Sequence, residues 1–200
     1  MPQTAKSLRN FRIVLWSLVV LVAIGATGLY LFKPPTRPLA VTGQSFALAS
    51  TQGGEFTQNS LKGTPSLVFF GYTFCPDVCP TTLAQTTAWR AQLGLTAKDL
   101  RIIFVTVDPQ RDTLDTVKGY VEGFDPSIIG LVGDPAQTDA VKRAFGVFSE
   151  AKGEAGDPYY LVDHTASVFL IDARGVFQGI IGYDEGGDVP LGKIKKLVTG

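Results

Sequence analysis

Ser66-Leu-Val-Phe-Phe-Gly-Tyr-Thr-Phe-Cys-Pro-Asp-Val-Cys-Pro-Thr-Thr-Leu83 runs from a continuous apolar stretch into a cysteine pair and on into a helix-compatible segment. Ser66 to Gly71 reads as a buried strand, because strands covered on both faces are apolar throughout instead of alternating. Thr81 to Leu93 suits a helix, and Arg101-Ile-Ile-Phe-Val-Thr-Val107 is a second buried strand. Strand, helix, strand at this spacing is a βαβ unit with a parallel pair and a right-handed crossover.

The pattern extends in both directions. Upstream, Phe46 to Ala49 and the stretch around Glu55-Phe56 flank Gly53-Gly54, a hairpin signal. Downstream, Arg111 to Glu122 reads as a helix, Ile128 to Val132 as a short strand, and Thr138 to Phe145 as a helix opened by Asp134-Pro135. Ala166 to Ile171 and Val176 to Ile181 are strands joined through Asp172-Ala-Arg-Gly175, and Leu191 to Val198 forms a closing helix. The polar run from Ser149 to Tyr159 is expected as a flexible exposed loop. The expected class is α/β, with a parallel start and an antiparallel hairpin end.

Ile13 to Phe32 holds 20 residues without a charge. As a helix this crosses a hydrocarbon core of about 30 Å, and it exceeds the apolar core of about 7–15 residues usual in a cleaved signal peptide. Trp16 and Tyr30 sit near its ends, while Lys6, Arg9 and Arg12 precede it, which predicts a cytoplasmic N-terminus and an exported domain. No Arg- and Ser-rich amphipathic leader precedes it, so a bacterial inner membrane with the domain in the periplasm is the simpler setting. The expected organisation is a short tail over 1–12, a transmembrane helix over 13–32, a proline-rich spacer over 33–45 and one domain over 46–200.

Removing Lys6, Arg9, Arg12 and Lys33 leaves 14 basic residues against all 18 acids, a net charge of −4 beyond the apolar segment. Nucleic-acid binding, which needs clustered positive charge, is not expected. Cys75 and Cys79 are the only cysteines and His164 the only histidine. Two cysteines do not make a disulfide scaffold, so a chemical role is expected.

Residues i and i+4 of a helical turn are neighbours, so the two thiols can meet one metal ion or each other. The pair also leaves a strand at its carboxyl end and opens a helix, where α/β sheets bind ligands and where the helix dipole favours thiolate. An imidazole from His164 completes a soft two-sulfur, one-nitrogen set that suits Cu(I), and zinc accepts the same ligands. Asp163 is a weak candidate to orient that imidazole, and Asp77 a similar one. Asp108, Arg111 and Asp112, just past the second strand, shape either a docking surface or ordinary turn and cap chemistry. The sole methionine is Met1, which excludes a blue-copper site with axial methionine in the domain.

Gly71-Tyr-Thr-Phe-Cys-Pro-Asp-Val-Cys-Pro-Thr-Thr-Leu83, Thr106-Val-Asp-Pro-Gln-Arg-Asp-Thr113 and Asp163-His164-Thr165 resemble the motifs of the Sco/SenC family of cytochrome c oxidase assembly proteins. The resemblance covers the apolar segment and the domain from about Phe46 to Val198. It implies a thioredoxin-like fold, a central mixed sheet flanked by helices, behind one N-terminal transmembrane helix. It also implies copper, as Cu(I) or Cu(II), bound by Cys75, Cys79 and His164, and a segment before His164 that moves between loaded and empty states. The implied partner is the copper-bearing subunit of the oxidase, with other periplasmic copper carriers or thiol reductants besides. The family divides between copper delivery and reduction of the client's cysteines. An enzyme-class alternative therefore stays open, a thiol:disulfide oxidoreductase or redox sensor using Cys75 and Cys79 as its redox pair. Three intervening residues, against two in the thioredoxin motif, argue mildly against it. A peroxiredoxin is disfavoured because Val68 and Tyr72 stand where Pro and Thr would precede Cys75.

Overall fold

The computed structural model describes residues 3–32, 40–153 and 157–200. Two compact units, Met1–Thr36 and Arg37–Gly200, are treated separately. The first contains helix α1, Gln3–Phe32. Its span Arg9–Gly28 is long and apolar enough to cross a membrane, and none of it is buried within the protein. A helix of this length and composition is compatible with a membrane anchor. The helix starts before Ile13, because the polar residues 3–12 contain no proline or glycine to stop it.

The second unit opens with the expected hairpin, β1 (Ala47–Ser50) against β2 (Glu55–Thr57). Strand β3 (Ser66–Gly71), helix α2 (Val78–Gln92) and strand β4 (Arg101–Thr106) follow, with β3 and β4 parallel and in register from Ser66↔Arg101 to Gly71↔Thr106. Helix α2 begins one turn earlier than the apolar pattern indicated. Pro80 is tolerated there because first-turn amides have no helical acceptor. Helix α3 (Leu114–Glu122) begins three residues later than expected, since Thr113 caps it by accepting from the Thr116 amide.

Strand β5 (Ile129–Val132) and helix α4 (Pro135–Phe145) come next. Asp134 and Gln137 bond each other's backbone amides at 2.8 and 2.9 Å, a capping box that fixes the start of α4, and Gly146 at φ 68° ends it. Strands β8 (Val168–Ile171) and β9 (Phe177–Ile181) and helix α5 (Val189–Thr199) complete the unit. The strand order is β2-β1-β5-β4-β3-β8-β9, a mixed seven-stranded sheet flanked by helices, in the expected thioredoxin-like class. Its core is aromatic at the centre, where Phe70 packs edge-on against Phe145 and Phe169 at 5.2 and 5.8 Å.

Two expectations change. Ala40, assigned from sequence to the spacer, is fully buried, and it donates to Gly175 and accepts from Phe177, adding a bridge beside β9. Residues 33–39 of that spacer lie outside the described residues. The expected loop from Ser149 to Tyr159 instead begins as strand β6 (Ser149–Lys152), which pairs antiparallel with β7 (Leu161–His164). Its composition is polar because both strands stand largely in solvent, so no apolar alternation marks them. Residues 154–156 lie outside the described residues.

Topology delivers three segments to one end of the sheet. The loops after the parallel strands β3 and β4 leave at their carboxyl ends, at Gly71 and Thr106. Strand β8 runs antiparallel to β3 with Phe69↔Val168, so its start faces that same end. The chain just before β8, which holds His164, must therefore arrive beside the cysteine loop.

Candidate metal centre

Cys75 lies in the turn between β3 and α2, while Cys79 is the second residue of α2. The two do not share a helical turn as expected. The turn nonetheless points Cys75 back at the helix start, where its Sγ accepts from the Cys79 amide at 3.4 Å. An amide at a helix N-terminus lacks a helical acceptor, so a sulfur occupies the place of an ordinary cap. Asp77 makes no side-chain cap bond to the helix backbone.

Cys79 is fully buried and Cys75 partly exposed. Gly71 explains how the buried thiol fits, because a Cβ there would sit 2.8 Å from Cys79 Sγ and 2.9 Å from Phe104. The glycine vacates the space that the sulfur occupies.

His164, at the end of β7, brings Nε2 to 3.5 Å from Cys79 Sγ. Its Nδ1 lies 3.1 Å from the Thr165 carbonyl. That oxygen can only accept, so Nδ1 carries the hydrogen and the Nε2 lone pair faces the sulfur. The imidazole also packs edge-on against Tyr72 at 5.9 Å and lies 6.0 Å from Phe69. Asp163 plays no part in orienting it. Its side chain is 65 % exposed and lies 3.9 Å from Lys152, because adjacent residues of a strand face opposite sides.

The ligand atoms of Cys75, Cys79 and His164 all lie within 4.8 Å of one another. Cys75 and His164 line a surface cavity of about 230 Å³, open between Cys75–Val78 and Leu161–His164, and Cys79 is buried behind them. The larger cavity of about 680 Å³, between β9 and α5, contains none of them. Two sulfurs and one imidazole nitrogen with a solvent-facing side form a trigonal soft-donor set, suited to a monovalent thiophilic ion or to zinc.

The thiols differ in acidity. Cys75 is drawn down to about 5, first by the hydrogen bond from the Cys79 thiol and further by the Cys79 and Asp77 amides, against opposing burial. Cys79 is pushed up, by donating that hydrogen bond and by burial. Cys75 is thus the accessible thiolate and Cys79 the proton-holding partner.

Asp108, Arg111 and Asp112 do not form a docking surface. Asp112 is 2 % exposed and accepts from Thr73 Oγ1 at 2.6 Å, Thr106 Oγ1 at 2.5 Å and the Thr73 amide at 3.1 Å. It thereby ties the cysteine loop to the end of β4. Burial raises the Asp112 carboxyl, opposed by those hydrogen bonds. Asp108 is also buried and pairs with Arg111 at 2.5 Å. Tyr72, Thr165, Gly71 and Tyr160 are further contributors that sequence reading did not single out. Gly71 and Tyr72 had a signal in their place where a buried strand ends before a cysteine, and Thr165 in its place beside His164.

The SCO1/SenC family model matches residues 34–199. A SCO2-like protein of Rickettsia felis is 37 % identical over 174 residues, covering 80 % of this chain and 85 % of that protein. The solved structure of Bradyrhizobium japonicum ScoI with copper bound is 38 % identical, with a TM-score of 0.69 over 76 % of this chain and 97 % of the other. Yeast Sco1 with copper bound aligns at 30 % identity and a TM-score of 0.71, covering 82 % and 90 %. This chain belongs to the SCO1/SenC family.

Proposed function

We propose that this protein is a membrane-anchored copper chaperone that holds copper through Cys75, Cys79 and His164 and assists assembly of the dinuclear copper centre of cytochrome c oxidase. The observation that carries the reading is the convergence of those three ligand atoms within 4.8 Å at an open surface. Copper is cargo here, and a three-ligand site with a free side suits ligand exchange with an acceptor. ScoI and yeast Sco1, which share the fold at 38 % and 30 % identity, are described with copper bound.

Cys75 and Cys79 supply thiolate sulfur, and His164 supplies Nε2, its tautomer set by the Thr165 carbonyl. Binding releases the proton that Cys79 holds, so affinity falls as pH falls. The apolar span of helix α1, with Lys6, Arg9 and Arg12 ahead of it, supports an anchor in a bacterial inner membrane that leaves the domain on the periplasmic side. There it confines the search for the copper-bearing oxidase subunit to two dimensions. Other periplasmic copper carriers or thiol reductants would load or reset the site.

The unequal acidity of the thiols favours a second reading, reduction of a client's disulfide. Cys75 thiolate attacks one client sulfur, and the other leaves as a thiolate. Cys79 then gives its proton to that client thiolate and attacks Cys75 Sγ, breaking the mixed disulfide so that the second client sulfur leaves as a thiolate; a disulfide closes in this protein and the client gains two electrons.

The test is a Cu(I) titration of the reduced full chain in detergent, with zinc as competitor, beside Cys75→Ala, Cys79→Ala and His164→Ala. One tight equivalent, lost or weakened in all three, supports the chaperone. Disulfide exchange that survives His164→Ala, without tight copper in wild type, supports the reductase.

A further inference from the structure

His164 is carried by the β6–β7 hairpin, and among the described residues those strands pair only with each other. The side of the hairpin next to the cysteine loop is fastened by three bonds from three residues. Tyr72 Oη accepts from the Val162 amide at 3.2 Å, Asp108 Oδ1 accepts from Tyr160 Oη at 2.6 Å, and Arg111 Nη1 donates to the Pro158 carbonyl at 3.2 Å.

Arg111 links the two halves of the site directly. The carbon of its guanidinium lies 3.6 Å from the centre of the Tyr160 ring, on the histidine arm. It also lies 4.9 and 5.7 Å from the rings of Phe74 and Tyr72, on the cysteine loop. Its Nε is held by Asp108 at 2.5 Å, yet its Nη2 is buried with no hydrogen-bond partner among the described residues. The ring contacts add to the Asp108 pair in holding it there, and a planar guanidinium can stack where an ammonium cannot.

We infer that Arg111 and Tyr160, seated on Asp108, are positioning residues for His164: they clasp the histidine arm to the cysteine loop and set whether copper is held by two ligands or three. The inference rests on the copper-binding reading above. With the clasp closed, Nε2 stays within reach of an ion at Cys75 and Cys79. With it open, the arm carries the imidazole away and the ion stays on two sulfurs, with a position free for an acceptor's ligand.

The experiment is a Cu(I) competition titration of the full chain in detergent with Arg111→Leu and Tyr160→Leu, each made with and without His164→Ala. Alongside it, hydrogen exchange at the Val162 amide is followed in the metal-free protein. Each single variant is expected to weaken copper binding by roughly 10–100-fold, the usual loss when the support of a metal ligand is removed. It should add nothing in the His164→Ala background, because a residue acting only through His164 has nothing left to act on. X-ray absorption of the copper-loaded variants should show the nitrogen scatterer lost and both sulfurs kept. Exchange at Val162 should quicken while the amides of β3 and β4 keep their protection.

Unchanged affinity, an equal loss with and without His164, or unaltered exchange at Val162 would overturn the clasp. If Arg111→Leu does not fold, Tyr160→Phe, which removes only the hydroxyl on Asp108, is put through the same comparison and the same outcomes decide. The exchange arm needs no metal. A wild type that took up no copper would therefore strike the binding reading alone, and the Val162 amide would still report on the clasp.

Discussion

His164 Nε2 stands 3.5 Å from Cys79 Sγ although the residues are 85 positions apart in the chain. The sheet closes that distance, since β8 runs antiparallel to β3 and returns its start to the end where the cysteine loop leaves. His164→Ala should therefore remove one nitrogen from the copper coordination shell and keep both sulfurs, read by X-ray absorption of the loaded protein. Thermal stability should move by no more than about 1 kcal/mol, because the imidazole is only partly buried.

Gly71→Ala should disturb the site without touching a ligand. The added methyl would stand 2.8 Å from Cys79 Sγ and 2.9 Å from Phe104, both buried in a close-packed core. Overpacking of this kind costs about 1–3 kcal/mol, and here it also displaces a donor atom. Both the melting temperature and the copper affinity should fall. A stable variant with wild-type affinity would show that the sulfur has room to retreat.

The reactivity of Cys75 should be nearly flat across neutral pH. Its thiol sits at about 5 against an ordinary 9.0, so it is ionised from neutral pH upward and protonated only as pH falls through about 5. The stability that this depressed value contributes is complete above 9.0 and lost as pH falls through about 5. Alkylation of the reduced, metal-free protein, with adducts located by mass spectrometry, should label Cys75 before Cys79 and slow below pH 5. An alkylation rate that instead rises through pH 9 would contradict the hydrogen bond from the Cys79 thiol.

Asp112→Ala should cost roughly 2–4 kcal/mol, since it strands the Thr73 amide and two hydroxyls inside the protein. Chemical denaturation measures it. The same change frees the cysteine loop from the end of β4, so copper affinity should fall along with stability.

Asp163→Asn should leave copper affinity unchanged. The carboxylate is exposed and its near neighbour is Lys152, while the Thr165 carbonyl orients the imidazole. A loss approaching tenfold in the titration would return Asp163 to the site.

Much of this was legible in the chain itself. The apolar runs Ser66–Gly71 and Arg101–Thr106 announce buried parallel strands because both their faces are covered, and Asp134-Pro135 marks a helix start through a local cap. The β6–β7 hairpin was not legible, since two solvent-exposed strands carry no apolar alternation and are recognisable only by their pairing. Asp108, Arg111 and Asp112 read as surface groups by type. Asp108 and Asp112 are buried because Tyr160, Thr73 and Thr106, distant or on other elements, supply their partners, and Arg111 is half-buried against Asp108.

The sequence by itself determined the class of fold, the apolar N-terminal helix and the soft donor set of Cys75, Cys79 and His164. Each is written in residue type, spacing or local periodicity. The tertiary structure decided that Cys79 is the buried, proton-holding thiol and Cys75 the partly exposed thiolate, that Thr165 and not Asp163 orients the imidazole, and that Arg111 stacks between the two halves of the site. Those properties depend on distances between segments remote in the chain, and only the packing of the sheet sets such distances.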